Sequence, residues 1–215
     1  MIVVIQCAAS KRPGAGHLVT SIGKPVKFVA HPEIAPTDPA CMYARPDDRG
    51  ESGTWRQMLV AYNDQPGDNP LGLYPAYQLY ENEVYERLVD RYGAGSVYIL
   101  SAGWGLIRAD FLTPYYDITF SQVADPYKRR RRTDRYDDLR MLANDINDEI
   151  VFFGGKDYLA LFGALTNGIT GKKLVFFNSQ IRPVLHGVTL KHFLTRRRTN
   201  WHYECASAFL DGAIQ

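Results

Sequence analysis

Ser96-Val97-Tyr98-Ile99-Leu100-Ser101-Ala102-Gly103-Trp104-Gly105-Leu106-Ile107-Arg108 is the stretch that decides how this chain folds. Its first half is apolar, as expected of a strand covered on both faces. It runs straight into a glycine-framed turn carrying Ser101, Trp104 and Arg108. Glycine tolerates positive φ and lets a backbone approach its neighbour closely, so Gly105 is expected to need that freedom, with substrate as the neighbour. In open α/β sheets ligands lie beyond the carboxyl ends of the strands, which puts this turn beside a site. Thr113-Pro114-Tyr115-Tyr116-Asp117 follows as a rigid aromatic and acidic element.

Working outward, Ile2-Val3-Val4-Ile5 reads as the first strand, ending near Ser10-Lys11. Residues 12–70 hold most of the prolines and read as a long, loop-rich insertion, with a short helix over Gly53–Tyr62. Leu73, Tyr77, Tyr80, Val84 and Leu88 fall at helical spacing, predicting one helix over Leu73–Tyr92 ended by Gly93 and Gly95. Glu83 and Arg87 would pair on its outer face. Thr133 reads as the cap of a second helix burying Tyr136, Leu139, Ala143 and Ile146. Ile150–Phe153 and Lys173–Phe177 are short apolar strands. Between them Gly154-Gly155-Lys156-Asp157 turns into a helix over Tyr158–Leu165, and a last helix covers Trp201–Leu210. This alternation predicts a single α/β domain, a doubly wound and mostly parallel sheet sandwiched by helices. Ser10-Lys11, Ser101–Arg108, Gly154–Lys156 and Asn178–Gln180 then all follow strands, which points to one cleft.

At 215 residues, with 46% hydrophobic and 22% charged content, the chain suits an ordinary globular domain. No apolar run approaches the ~18–20 residues that span a bilayer. Met1-Ile2-Val3-Val4-Ile5 has no basic n-region, so a cytoplasmic protein without membrane contact is expected. Cys7, Cys41 and Cys205 are too few and scattered for a disulfide framework or a zinc site. No histidine pair has ligand spacing, so neither metal nor cofactor is implied. Net charge is only +2, yet Lys128-Arg129-Arg130-Arg131-Arg132 and Arg196-Arg197-Arg198 are concentrated basic clusters. Such clusters suit a phosphate-facing surface; a solvated charged face is the plainer alternative.

Two segments carry a family resemblance. Ser101-x-x-Trp104-Gly105-Leu106-Ile107-Arg108 followed by Pro114-Tyr115 resembles the signature segment of the YaaA family and related domains, with Trp104 where Tyr is usual. The opening strand, ending in Ser10-Lys11, resembles theirs as well. The resemblance implies DNA binding linked to oxidative-damage tolerance. Similar small domains stand beside base-modification and phage-defence systems, some as DNA glycosylases.

On that footing the chain is expected to be a DNA N-glycosylase that flips out a modified or damaged base. Asp110 or Asp117 would stabilise the oxocarbenium-like sugar, although either aspartate equally suits a turn. Tyr115 or Tyr116 would stack on the base, with Trp104 nearby; aromatics are also ordinary core filler. Asn178 offers a donor and an acceptor to a base edge. Lys11, Arg108 and the two arginine clusters would meet phosphates, with Ser10, Ser101, Gly105 and His202 completing the substrate-binding set. Gly154-Gly155-Lys156 resembles a phosphate-binding turn but lacks the rest of a P-loop, and a plain strand-to-helix turn explains it as well. The rival functions are a non-catalytic DNA-binding protein and an enzyme of free nucleosides or nucleotides.

Overall fold

The computed structural model describes residues 1–65, 67–196 and 199–214. Five parallel strands form its spine: β1 (Ile2–Gln6), β5 (Val97–Ser101), β9 (Ile150–Phe153), β10 (Lys173–Phe177) and β11 (Thr189–His192). Two more strands extend the β5 edge. β6 (Gly105–Arg108) runs antiparallel to β5, and β8 (Leu139–Arg140) lies parallel to β6. The full order is β11-β10-β9-β1-β5-β6-β8. The chain leaves β1 for β5 on one side and then returns to add β9, β10 and β11 on the other. The winding therefore reverses between β1 and β9, where a doubly wound sheet opens its crevice.

β9, and β1 up to its last residue Gln6, are apolar because helices cover both faces. Phe152 stacks on Phe162 of α4 (Leu159–Thr166), and the next residue, Phe153, meets Phe209 of α5 (Trp201–Leu210). Successive strand residues point to opposite faces, so α4 and α5 flank the sheet. α3 (Val84–Tyr92) packs beside α5 against β1 and β5.

The segment read as a loop-rich insertion is largely built. It pairs β2 (Val26–Phe28) with β3 (Met42–Ala44) and contains α1 (Trp55–Asn63). Thr54 and Gln57 close a capping box at the start of α1. Leu18, Phe28, Trp55 and Leu59 join the main hydrophobic core.

Two predicted helices are corrected. Leu73–Tyr92 is split into β4 (Tyr74–Pro75), α2 (Ala76–Leu79) and α3. β4 pairs with β7 (Leu112–Thr113), while Tyr80 is extended and bridges Lys11. Asn82 then bonds the Val84 amide to restart the helix. Arg87 reaches Asp211 at 2.7 Å rather than the expected Glu83. No helix follows Thr133 among the described residues; Leu139–Arg140 forms β8 instead. The many Asp and Asn residues there disfavour a helix, and β6 takes their backbone.

Gly105 makes that pairing possible, at φ +91°. A Cβ on it would lie 2.5 Å from the Leu139 carbonyl oxygen and 2.6 Å from its nitrogen. The positive φ matches expectation, but the close neighbour is strand β8 rather than substrate. Gly105→Val should therefore cost roughly 1–2 kcal/mol in backbone strain and about 1–3 kcal/mol in overcrowding. Arg108→Ala, on an exposed side chain, should stay within about 0.5 kcal/mol of the parent. Denaturant midpoints of the two variants check this; equal midpoints would refute it.

Candidate functional site

The glycine-framed turn is a buried structural joint. Ser101, Ala102 and Trp104 are wholly inaccessible to solvent. Ser101 Oγ accepts the amides of Gly103 and Trp104, at 3.2 and 3.1 Å, and donates to Tyr116 Oη at 2.9 Å. Two buried arginines take the turn's carbonyls. Arg56 donates to Gly103 and Trp104, both at 3.0 Å, and Arg130 donates to Ala102 at 2.9 Å. Asp47 and Asp138 neutralise the two guanidinium groups. Trp104 meets Phe28 and Tyr116 edge-on, and Tyr116 is itself fully buried. Neither ring is open to a base.

Several other predicted site residues also part company. β6 runs backwards, so Arg108 sits beside Tyr98 at the amino end of β5, ion-paired to Asp110 at 2.5 Å. Both are remote from the crevice. Lys11 is buried, its Nζ 4.2 Å from the Tyr116 ring centroid. Desolvation lowers its pKa against the opposing pull of Cys7 and Asp117. Asp117 is held by Lys128 at 2.9 Å, and Lys128 also pairs with Asp125. Tyr115 is half-buried beside Asp117 and His17 in a separate hollow. Ser10 and Arg196 are exposed, whereas Arg197 and Arg198 lie outside the described residues.

The crevice lies where the winding reverses, a cavity of about 600 Å³. Ligand sites commonly measure about 300–1,000 Å³. Its walls come from the carboxyl ends of β1 (Gln6–Ala9), β9 (Gly154–Tyr158) and β10 (Phe177–Ser179), with the start of α5 and residues 119–122. The predicted Asn178 and His202 are here. Gln6 Oε1 accepts the Gly155 amide at 2.6 Å and so fixes the Gly-Gly-Lys turn. A Cβ at Gly154 would lie 2.2 Å from the Phe152 ring. Phe120, Tyr158, Trp201 and Tyr203 supply flat apolar surface, Phe120 meeting Tyr158 edge-on at 5.0 Å. Cys7 bonds Tyr158 Oη at 3.2 Å, and burial keeps that phenol neutral.

Asp157 is the residue that sequence reasoning missed. It is the one carboxylate among the described lining residues, and no described cation pairs with it. The signal was its position directly after Gly154-Gly155-Lys156. It also borders a neighbouring hollow of about 390 Å³ lined by Phe120, Gln122 and Arg129–Arg132. Within that run the roles divide. Arg130 is the buried clamp, Arg129 leans on Gln122, and Arg131 and Arg132 are exposed. Among the described residues, no three His, Cys, Asp or Glu side chains gather as a metal site requires.

Burial with no opposing charge lowers the His202 pKa to about 4 from 6.5. Its Nε2 has no hydrogen-bond partner among the described residues. Between those pH values the unfolded chain holds a proton that the folded one lacks, so stability falls as pH drops through 6.5 toward 4. The loss from this group should be about 3 kcal/mol. His202→Leu should remove it from a pH series of urea melts; an unchanged slope would show that His202 is not held neutral.

No protein-family model matches the chain, and no curated protein or solved structure matches it either.

Proposed function

We propose that this chain is a DNA-binding hydrolase, a DNA N-glycosylase that draws a modified or damaged base into the crevice between β1 and β9. The observation that carries this reading is one cavity with aromatic walls, an amide and a lone carboxylate, opening beside a hollow of arginines. Trp201, Tyr203 and Phe120 offer faces on which an extruded base stacks. Asn178 supplies a carboxamide to the base edge. Arg131 and Arg132 meet the phosphates flanking the flipped nucleotide. The resemblance to the YaaA family and its glycosylase-like relatives points the same way.

Asp157 takes the role first sought at Asp110 or Asp117. As the N-glycosidic bond breaks, its electron pair leaves with the base and positive charge grows on the sugar. A carboxylate beside that charge lowers the barrier and accepts the proton of the water that adds to C1′. The departing base takes up a proton in exchange, so the reaction consumes one water.

The test is incubation with unmodified and base-modified DNA followed by hot alkali. Strand breaks confined to modified positions are expected. Asp157→Asn should slow base release about 10²–10³-fold while DNA binding persists. A band shift without breaks would instead make the chain a non-catalytic DNA-binding protein. Base release from free nucleosides alone would make it an enzyme of small substrates.

The arginine run offers a second check. Each phosphate neutralised contributes about −0.7 on a single strand, or about −0.9 on a duplex, to the slope of log affinity against log salt. Arg131→Ala and Arg132→Ala should each flatten that slope by about this amount, with folding intact. Arg130→Ala should cost about 3–5 kcal/mol of stability, because it strands the buried Asp138. A flattened slope for neither exposed variant would remove the run from the interface.

A further inference from the structure

We infer that the DNA enters as a single strand, and that a second hollow, walled by Tyr43, Tyr115 and Tyr127, holds a nucleotide neighbouring the one in the crevice. This inference rests on the nucleic-acid reading above. The hollow measures about 380 Å³ and also presents His17, Asp117, Arg12 paired with Glu86, and Lys27 paired with Asp38. Its three tyrosines are only half-buried, and their hydroxyls make no hydrogen bond among the described residues. Tyr43 and Tyr127 meet edge to face at 6.1 Å, while His17 tilts against Tyr115 at 5.7 Å. Rings gathered this way at the surface stabilise little by themselves, yet they offer flat faces to a planar ligand.

The hollow is joined to the crevice. A third depression, about 300 Å³, shares Thr119 and Ser121 with the crevice and Asp117 with the tyrosine hollow. The buried Lys11 and the Lys128 ion pairs with Asp117 and Asp125 line it. Lys128 Nζ lies 5.4 Å from the Tyr127 centroid and Lys11 Nζ 5.8 Å from that of Tyr115. Arginines, crevice, lysines and tyrosines thus follow one another along one face. Alternating cations and aromatic rings are what a single strand needs, phosphates on the former and bases on the latter. Bases seated in successive hollows turn their pairing edges into the protein, which leaves no room for a complementary strand.

Fluorescence anisotropy tests this on the intact protein, with a short oligothymidylate, its duplex with oligodeoxyadenylate, and thymidine 5′-monophosphate as probes. The single strand should bind more tightly than either other probe. Tyr43→Ala and Tyr127→Ala should each weaken single-strand binding at least about fivefold. Neither should change the affinity for the monophosphate or the melting midpoint. Duplex binding as tight as single-strand binding would overturn the inference, as would unchanged affinity in both tyrosine variants. Single-strand binding with the expected tyrosine losses but without base release would support it and sink only the glycosylase chemistry. Failure of every probe to bind would sink both.

Discussion

The carbonyls of Ala102, Gly103 and Trp104 point into the interior, and everything around the β5–β6 reversal is arranged to satisfy them. A buried carbonyl left unpaired costs about 1–3 kcal/mol, so even the Ala102 and Gly103 carbonyls, which lack the Leu139 amide that the Trp104 carbonyl also accepts, would take a sizeable part of a domain's stability of ~5–15 kcal/mol. Arg56 and Arg130 prevent that, and each needs its own carboxylate to be tolerated at this depth. The two arginines come from α1 and from the basic run, segments far apart in sequence. One turn thereby ties the insertion, the central sheet and the loop before β8 together. Backbone hydrogen bonds at Asp117 and Leu139 reinforce the same joint.

That joint decides where a ligand can go. The chain reverses immediately after β5, so the carboxyl end of that strand is filled by its own turn and closed by Tyr116 and Trp104. The open crevice moves to β1, β9 and β10, whose carboxyl ends line it. A single chain of contacts connects the two regions. Cys7 accepts the Ala102 amide at 3.4 Å and bonds Tyr158, whose ring lines the crevice. Burial pushes the phenols of Tyr80, Tyr116 and Tyr158 well up, so this layer stays neutral. It forms a floor and leaves chemistry to the groups above it.

The fold was legible where burial on both faces leaves only one reading. Val97–Leu100, Ile150–Phe153 and Lys173–Phe177 are apolar runs too short for helices, and they are strands. Trp201–Leu210 is a helix with the expected ends. Periodicity misled where a tertiary partner outbid it. The stripe from Leu73 to Leu88 is broken because Tyr80 bridges Lys11, a contact that no window along the chain contains. Thr133–Ile146 yields to β6 because Gly105 admits a neighbouring backbone. The site failed in the same manner. Ser101 and Arg108 look like neighbours on a loop, but the antiparallel return of β6 carries Arg108 to the other end of the strand. Gly154–Asp157 and Asn178 did follow parallel strands, and those are the residues that converge.

A net charge of +2 conceals how the charges are spent. Most of the acids near the predicted site are already committed: Asp47 to Arg56, Asp138 to Arg130, Asp110 to Arg108, and Asp117 with Asp125 to Lys128. An aspartate locked to a cation at hydrogen-bond distance has little charge left to offer a reacting sugar. By the same accounting, Arg131 and Arg132 make no ion pair among the described residues, and neither does Asp157. Arg131, Arg132 and Lys156 thus stand beside Asp157 around a cavity whose walls combine aromatic rings with small polar groups. On the proposed reading, phosphate attraction and sugar-cation stabilisation ask for opposite signs in close quarters, and these groups supply both.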